Sequence, residues 1–284
     1  MQISTLVGRL EQAKALDPVV DAVSARVTRL LPRGRLKDVL HGTWLGHPLH
    51  PLLVAVPIGL WSGALLLDLT GGEQGRAAAR RLVGAGVLTA APTAASGWAD
   101  WSELGIAKRP KRVGLVHGGA NALTILLFAA SWAARRGDGA GGRGLALAGA
   151  SGLAVGGYLG GHLAFAEAVG VNRNADEAPG PKDWTDVAAA DDVVDGRPLR
   201  LQVKSKALVL VRSGGSLRAL SATCSHWGGP LDEGELVDGC LECPWHGSRF
   251  RLEDGAVARG PATAPQRAYD VRTVGDRVQV RARP

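Results

Sequence analysis

The sequence predicts a two-part chain, an N-terminal all-α four-helix transmembrane bundle followed by a C-terminal all-β domain. Four stretches lack Asp, Glu, Lys and Arg over about the ~20 residues that a membrane helix needs. Beyond them the run Asn174 to Asp183 (NADEAPGPKD) has the composition of a linker. After it, helical periodicity gives way to short apolar runs separated by Asp-Gly and Gly-Gly breaks. A length of 284 residues allows about two domains, and 46% hydrophobic against 21% charged residues excludes a disordered chain. The predicted boundaries are 1–40 for an amphipathic N-terminal segment, 41–172 for the spans, 173–183 for the linker and 184–284 for the β domain.

In the N-terminal segment, Val19, Val20, Val23, Val27, Leu30 and Leu31 recur with helical period between Asp21, Arg26 and Arg29. They predict an amphipathic helix lying on the membrane surface or packed on the soluble domain. No apolar core precedes a cleavage site near Met1, so no secretory signal is expected. The spans run from His47 to Leu67, Leu82 to Ala99, Val113 to Ala134 and Gly144 to Ala166, the second being the shortest and containing Pro92. Trp44, Trp98, Trp101 and Trp132 fall near span ends, where headgroups are expected, while mid-span Trp61 reads as packing. Gly152, Gly156 and Gly160, with Gly157 and Gly161 in a second row, allow close helix approach.

The net charge of +7 lies almost wholly in the membrane part, in short loops between spans, which excludes a nucleic-acid partner and makes lipid the expected one. Basic residues are denser before the first span and in Lys108, Arg109, Lys111 and Arg112 than in the loops on the opposite side. Positive-inside bias therefore places both termini in the cytoplasm of a bacterial inner membrane.

Within the β domain, Cys224-Ser-His226-Trp-Gly-Gly-Pro is followed by Cys243-Pro-Trp-His246-Gly-Ser. Each loop supplies one thiolate and one imidazole. Such a set could hold zinc, but zinc sites usually pair like ligands within a loop. Two thiolates on one iron and two imidazoles on the other is the ligand division of a Rieske centre. Residues 184–284 resemble the Rieske [2Fe–2S] family through both motifs and their surrounding glycines and proline. The resemblance implies a [2Fe–2S] cluster held by Cys224, His226, Cys243 and His246, and the passing of single electrons between redox partner proteins, with a reductase as donor.

Rieske proteins of quinol-oxidising complexes resemble this one but carry an extra cysteine in each loop, where this chain has Gly229 and Trp245. A tyrosine of the high-potential group is replaced by Phe250, with Ser248 retained, which implies a potential low in the family's range of about −150 to +300 mV. Cys240 is expected to be a half-buried free thiol. An oxygenase would add a catalytic iron held by two histidines and a carboxylate, and no histidine follows His246. Whether the chain is an enzyme is therefore left open by its sequence.

The remaining histidines lie in the first part. His50, His117 and His162 share a depth near span ends and are expected to converge into one site for haem b or a quinone, the alternative being a structural role. An oxidoreductase with such a cofactor and the Rieske domain as its relay is the second functional reading. The run Gly46-His47-Pro48-Leu49-His50-Pro51, with His117-Gly-Gly-Ala-Asn121 and Gly-Gly-Tyr158-Leu-Gly-Gly-His162, resembles a family of four-helix bacterial membrane proteins. That resemblance implies a topology and no chemistry.

Overall fold

The computed structural model describes residues 3–105, 108–136 and 142–283; Met1, Gln2 and Pro284, at the outer limits of the predicted N-terminal segment and β domain, lie outside these. The chain forms two compact units, Met1–Pro32 with Leu49–Val169, and Arg33–Pro48 with Gly170–Pro284.

The first unit contains α1 (Ile3–Glu11), α2 (Asp17–Leu30), α4 (Leu49–Thr70), α5 (Gly72–Ser102), α6 (Lys108–Ala134) and α7 (Arg143–Phe165). Helices α4, α6 and α7 are long and apolar enough to cross a membrane. Helix α5 is longer, at 31 residues, but opens with Glu73, Arg76, Arg80 and Arg81 and continues largely in alanine and glycine. The four predicted spans thus become three helices that meet the apolar criterion and a fourth, more polar one.

Glycine lets α4 pack closely on α5, and α6 on α7. A Cβ at Gly86 would lie 2.3 Å from the Trp61 indole, and one at Gly149 would lie 2.8 Å from the Phe128 ring. Those two rings stack at 4.3 Å with planes 3° apart, as expected for mid-span Trp61. The row Gly152, Gly156 and Gly160 faces Thr124, Asn121 and His117 of α6, whereas Gly157 and Gly161 meet no neighbouring helix closely among the described residues. Trp101 departs from the expected headgroup position. It is buried, fills the notch at Gly114 and donates its Nε1–H to the Lys111 carbonyl at 3.0 Å.

The amphipathic helix α2 buries Val20 and packs against α5 and α6. Basic residues at the start of α6 tie it there. Lys108 pairs with Asp21, Lys111 donates to Ser24 Oγ at 2.9 Å, and Arg112 grips the Asp17 carboxylate at 2.7 and 2.8 Å. The Arg112 guanidinium holds the Asp17 carboxyl below its usual range.

In the second unit, α3 (Arg35–His41) accompanies a two-sheet β domain. One antiparallel sheet orders β1 (Thr185–Ala189), β10 (Arg277–Ala282), β9 (Ala268–Val274), β4 (Ser216–Ser221), β3 (Lys206–Ser213) and β2 (Leu199–Val203). The smaller one orders β5 (Glu235–Val237), β6 (Cys240–Glu242), β7 (Arg249–Arg251) and β8 (Val257–Arg259). A core of Val209, Leu220, Leu231, Leu241 and Phe250 joins the sheets and takes in Cys224 and Cys243.

Two predicted boundaries differ. Residues 33–48 group with the β domain, where the Asp38 carboxylate accepts the Gly260 N–H at 2.9 Å. The expected linker is a strap fixed to that domain. Asn174 donates to Gln266 Oε1 at 2.8 Å, Glu177 accepts from Lys206 and Ser221, and the Pro181 carbonyl accepts the Ala282 N–H at 2.7 Å. The side chains of Asn174 and Glu177 are thus spent on buried partners.

Candidate metal centre

Two loops with one backbone pattern carry the predicted ligands. The Gly228 N–H bonds to the Cys224 carbonyl and the Cys224 N–H to the Gly229 carbonyl, at 2.9 and 2.8 Å. In the second loop, the Gly247 N–H bonds to the Cys243 carbonyl and the Cys243 N–H to the Ser248 carbonyl, again at 2.9 and 2.8 Å. Each loop turns back through a left-handed glycine, Gly228 at φ +76° and Gly247 at φ +72°, a conformation in which a side chain would be strained.

This pairing sets the two predicted thiols beside each other and the two predicted imidazoles beside each other. Cys224 and Cys243 are buried and their thiols share a hydrogen bond, which holds Cys243 down at about 7 and pushes Cys224 well up. Backbone N–H groups of Trp245 and His246 aim at one sulfur, and those of His226 and Trp227 at the other, an arrangement that favours thiolates. The rings of His226 and His246 sit 5.0 Å apart at 87°. Burial, then the neighbouring His246, drives His226 well below the usual histidine range, so it is neutral and able to ligate.

His226 Nδ1 is buried with no hydrogen-bond partner among the described residues. An orphaned ring nitrogen beside two buried thiols fits a bound metal, and two thiolates with two imidazoles fit a [2Fe–2S] cluster. A Cβ at Gly229 would lie 2.9 Å from Cys243 Sγ and 3.1 Å from the Trp245 ring. The indole thus covers the place where the quinol-oxidising group carries its bridge. Ser248 is buried, and its hydroxyl oxygen accepts the Ala262 N–H at 3.0 Å. Cys240 is more buried than expected; it lies on β6, where burial raises its pKa.

Pattern reasoning missed four residues around the loops. Arg33 Nη1 reaches Gly247, where a Cβ would lie 2.7 Å from it, and His41 is buried against Gly260. Asp38 holds the Gly260 N–H. The Arg173 guanidinium lies 4.6 Å over the Trp227 ring while its N–H bonds to the Ser225 carbonyl at 2.9 Å. No local signal announces them, because all four come from segments remote from the motif.

The membrane histidines do not all converge. His50 and His117 pair, with ring centres 6.5 Å apart. His162 instead bonds to Glu11 Oε1 at 2.7 Å, beside Glu167, and Arg109 reaches both carboxylates at 3.1 and 2.6 Å. A carboxylate from α1 has drawn it into an ion-pair cluster.

The chain belongs to the Rieske [2Fe–2S] family, whose domain matches residues 183–273, and residues 46–173 match a family described as a predicted membrane protein (DUF2231). It is therefore a Rieske electron-transfer domain fused to a predicted membrane domain. It is 34% identical over 98 residues to the anthranilate 1,2-dioxygenase ferredoxin subunit of Burkholderia cepacia, covering 34% of this chain and 91% of that protein. It is 33% identical over 92 residues to the cytochrome b6-f complex iron-sulfur subunit of Chlorobaculum thiosulfatiphilum, covering 32% and 50%. The solved ferredoxin of carbazole 1,9a-dioxygenase from Nocardioides aromaticivorans IC177 matches at 34% identity and a TM-score of 0.35, covering 36% of this chain and all of that one.

Proposed function

We propose that the protein is a membrane-anchored Rieske electron carrier on the cytoplasmic side of a bacterial inner membrane, fed by a reductase. The observation that carries this is the pair of matched Cys–His loops. Cys224 and Cys243 would hold one iron and His226 and His246 the other, and the cluster would supply one-electron exchange. The anthranilate 1,2-dioxygenase ferredoxin subunit, 91% of whose length this chain covers, supports a carrier. Helices α4 to α7 would form the four-span anchor. Burial of Cys224 and Cys243 keeps water from the sulfurs. The imidazoles, intermediate in burial, would be the exit for electrons.

Phe250 at the tyrosine position leaves the cluster one hydrogen bond poorer, so its reduced state is less stabilised and its potential low. The second reading, a membrane oxidoreductase with haem b or a quinone in the helical unit, has one observation in its favour, the His50–His117 pair.

The carrier reading is tested in sealed vesicles with a membrane-impermeant reductant. The cluster should be reduced at once in inverted vesicles and stay oxidised in right-side-out ones. The reverse pattern would place the domain on the outer face, and a cluster inert to the reductant in both would remove electron transfer.

A further inference from the structure

The helical unit contains an internal repeat. Residues 67 positions apart meet across it at three levels: His50 with His117, Trp61 with Phe128, and Asp68 with Arg135. The buried positions of α4, Pro57, Trp61 and Ala64, recur at the same offset in α6 as Thr124, Phe128 and Ser131. Helices α5 and α7 share a second constant offset, under which Val83, Gly86, Thr93 and Ser96 correspond to Ala146, Gly149, Gly156 and Leu159, all buried. The α4–α5 and α6–α7 hairpins are therefore two copies of one unit about a pseudo-two-fold axis, and His50 and His117 are equivalent residues meeting at one end of it.

The two imidazoles are also held alike. His50 Nδ1 lies 2.9 Å from the Thr93 carbonyl and His117 Nδ1 lies 3.0 Å from the Gly156 carbonyl. Thr93 and Gly156 correspond under the repeat. Gly97 and Gly160, also corresponding, receive the rings, since a Cβ there would lie 2.7 and 3.1 Å from the respective Cε1 atoms. A carbonyl only accepts, so each Nδ1 carries the proton and each Nε2 of a neutral ring presents a lone pair. Asn121 Nδ2 lies 3.1 Å from His117 Nε2 and 3.4 Å from its Nδ1. It also donates to the His117 carbonyl at 3.0 Å, so its amide keeps an acceptor when Nε2 takes a ligand.

Such lone pairs cannot donate to the carbonyls of a quinone, but they can ligate a metal. Fixing a ligand's tautomer through its other nitrogen is how metal-binding imidazoles are oriented. With metal–nitrogen bonds of about 2.0–2.1 Å, two opposed imidazole ligands have ring centres roughly 6 Å apart. The separation here is 6.5 Å. The pair brings no carboxylate or thiolate to complete a tetrahedral zinc site. Iron porphyrin supplies its own four equatorial nitrogens and asks the protein for two axial ligands.

We infer that His50 and His117 form a bis-imidazole site for non-covalently bound haem on the pseudo-two-fold axis of the helical unit, with His162 outside it. The inference concerns the helical unit alone, and assaying cluster iron and sulfide on the same samples keeps its failure distinct from that of the carrier reading.

The full chain in detergent is titrated with hemin and followed optically. One equivalent should bind with a six-coordinate, low-spin spectrum. His50→Ala and His117→Ala should each lose that spectrum or weaken binding at least tenfold, and added free imidazole should restore it. His162→Ala should behave as the parent protein, and cluster content should be the same in all. Failure of the parent protein to take up hemin would overturn the site, as would a low-spin spectrum that survives either substitution or is lost equally in His162→Ala. Quinone binding abolished by both substitutions, with no hemin uptake, would also overturn it, in favour of a quinone pocket.

Discussion

Cys243→Ser is expected to abolish the [2Fe–2S] cluster while leaving the chain in the membrane fraction. The serine hydroxyl stays protonated at neutral pH, whereas Cys243 is already poised to ionise by the hydrogen bond it shares with Cys224 and by two backbone N–H groups. Losing one of four ligands strands the remaining thiol and both imidazoles in a buried pocket. The helical unit has its own core, centred on Trp61, Val83 and Phe128, so it should fold regardless. Iron and acid-labile sulfide should fall to background, and membrane recovery should match the parent chain. Retention of both elements at the parent level would remove Cys243 from the ligand set.

Asp68→Asn is expected to destabilise the helical unit by about 3–5 kcal/mol, the usual cost of leaving one member of a buried ion pair alone. The Arg135 side chain is wholly buried and donates to Asp68 through both terminal nitrogens, one at 2.7 Å. Its Nε–H reaches Ser131 Oγ at 3.1 Å, and that hydroxyl donates to the Gly142 carbonyl at 2.8 Å, tying α6 to the residue that precedes α7. Removing the carboxylate charge leaves a guanidinium that cannot reach water. Replacing both partners by apolar residues, Asp68→Leu with Arg135→Met, should recover most of the loss. Thermal unfolding in detergent measures both, and an Asn variant within about 1 kcal/mol of the parent would show that the pair contributes little.

The metal ligands were legible in the sequence because a metal site needs particular atoms at short loop spacings, and two loops of matched length carry them. Long strands were legible for the same local reason. The apolar runs around Leu199 to Val211 and Val271 to Val280 become β2, β3, β9 and β10, while three-residue strands such as Glu235–Val237 are too short to show a period. The strap from Asn174 looked like a linker because its polar side chains find partners such as Gln266 and Lys206 far away in sequence. His162 was misplaced for a related reason: depth along a helix can be counted, but the carboxylate of Glu11 that captures it arrives from another helix. The repeat was open to sequence reading, since His50, Ala55, Ile58 and Leu60 reappear as His117, Ala122, Ile125 and Leu127, but helical spans rich in alanine and leucine hide such matches.

A redox titration of carbonate-washed membranes containing the full chain tests the central claim most directly, because it asks at once for a membrane-held cluster and for its potential. A membrane-anchored Rieske carrier of the ferredoxin type should keep its whole [2Fe–2S] signal in the washed pellet and titrate near or below about −100 mV, in the lower part of the Rieske range. A signal released into the supernatant would contradict the membrane anchor. A midpoint above about +200 mV would contradict the ferredoxin-type carrier and restore quinol oxidation in its place.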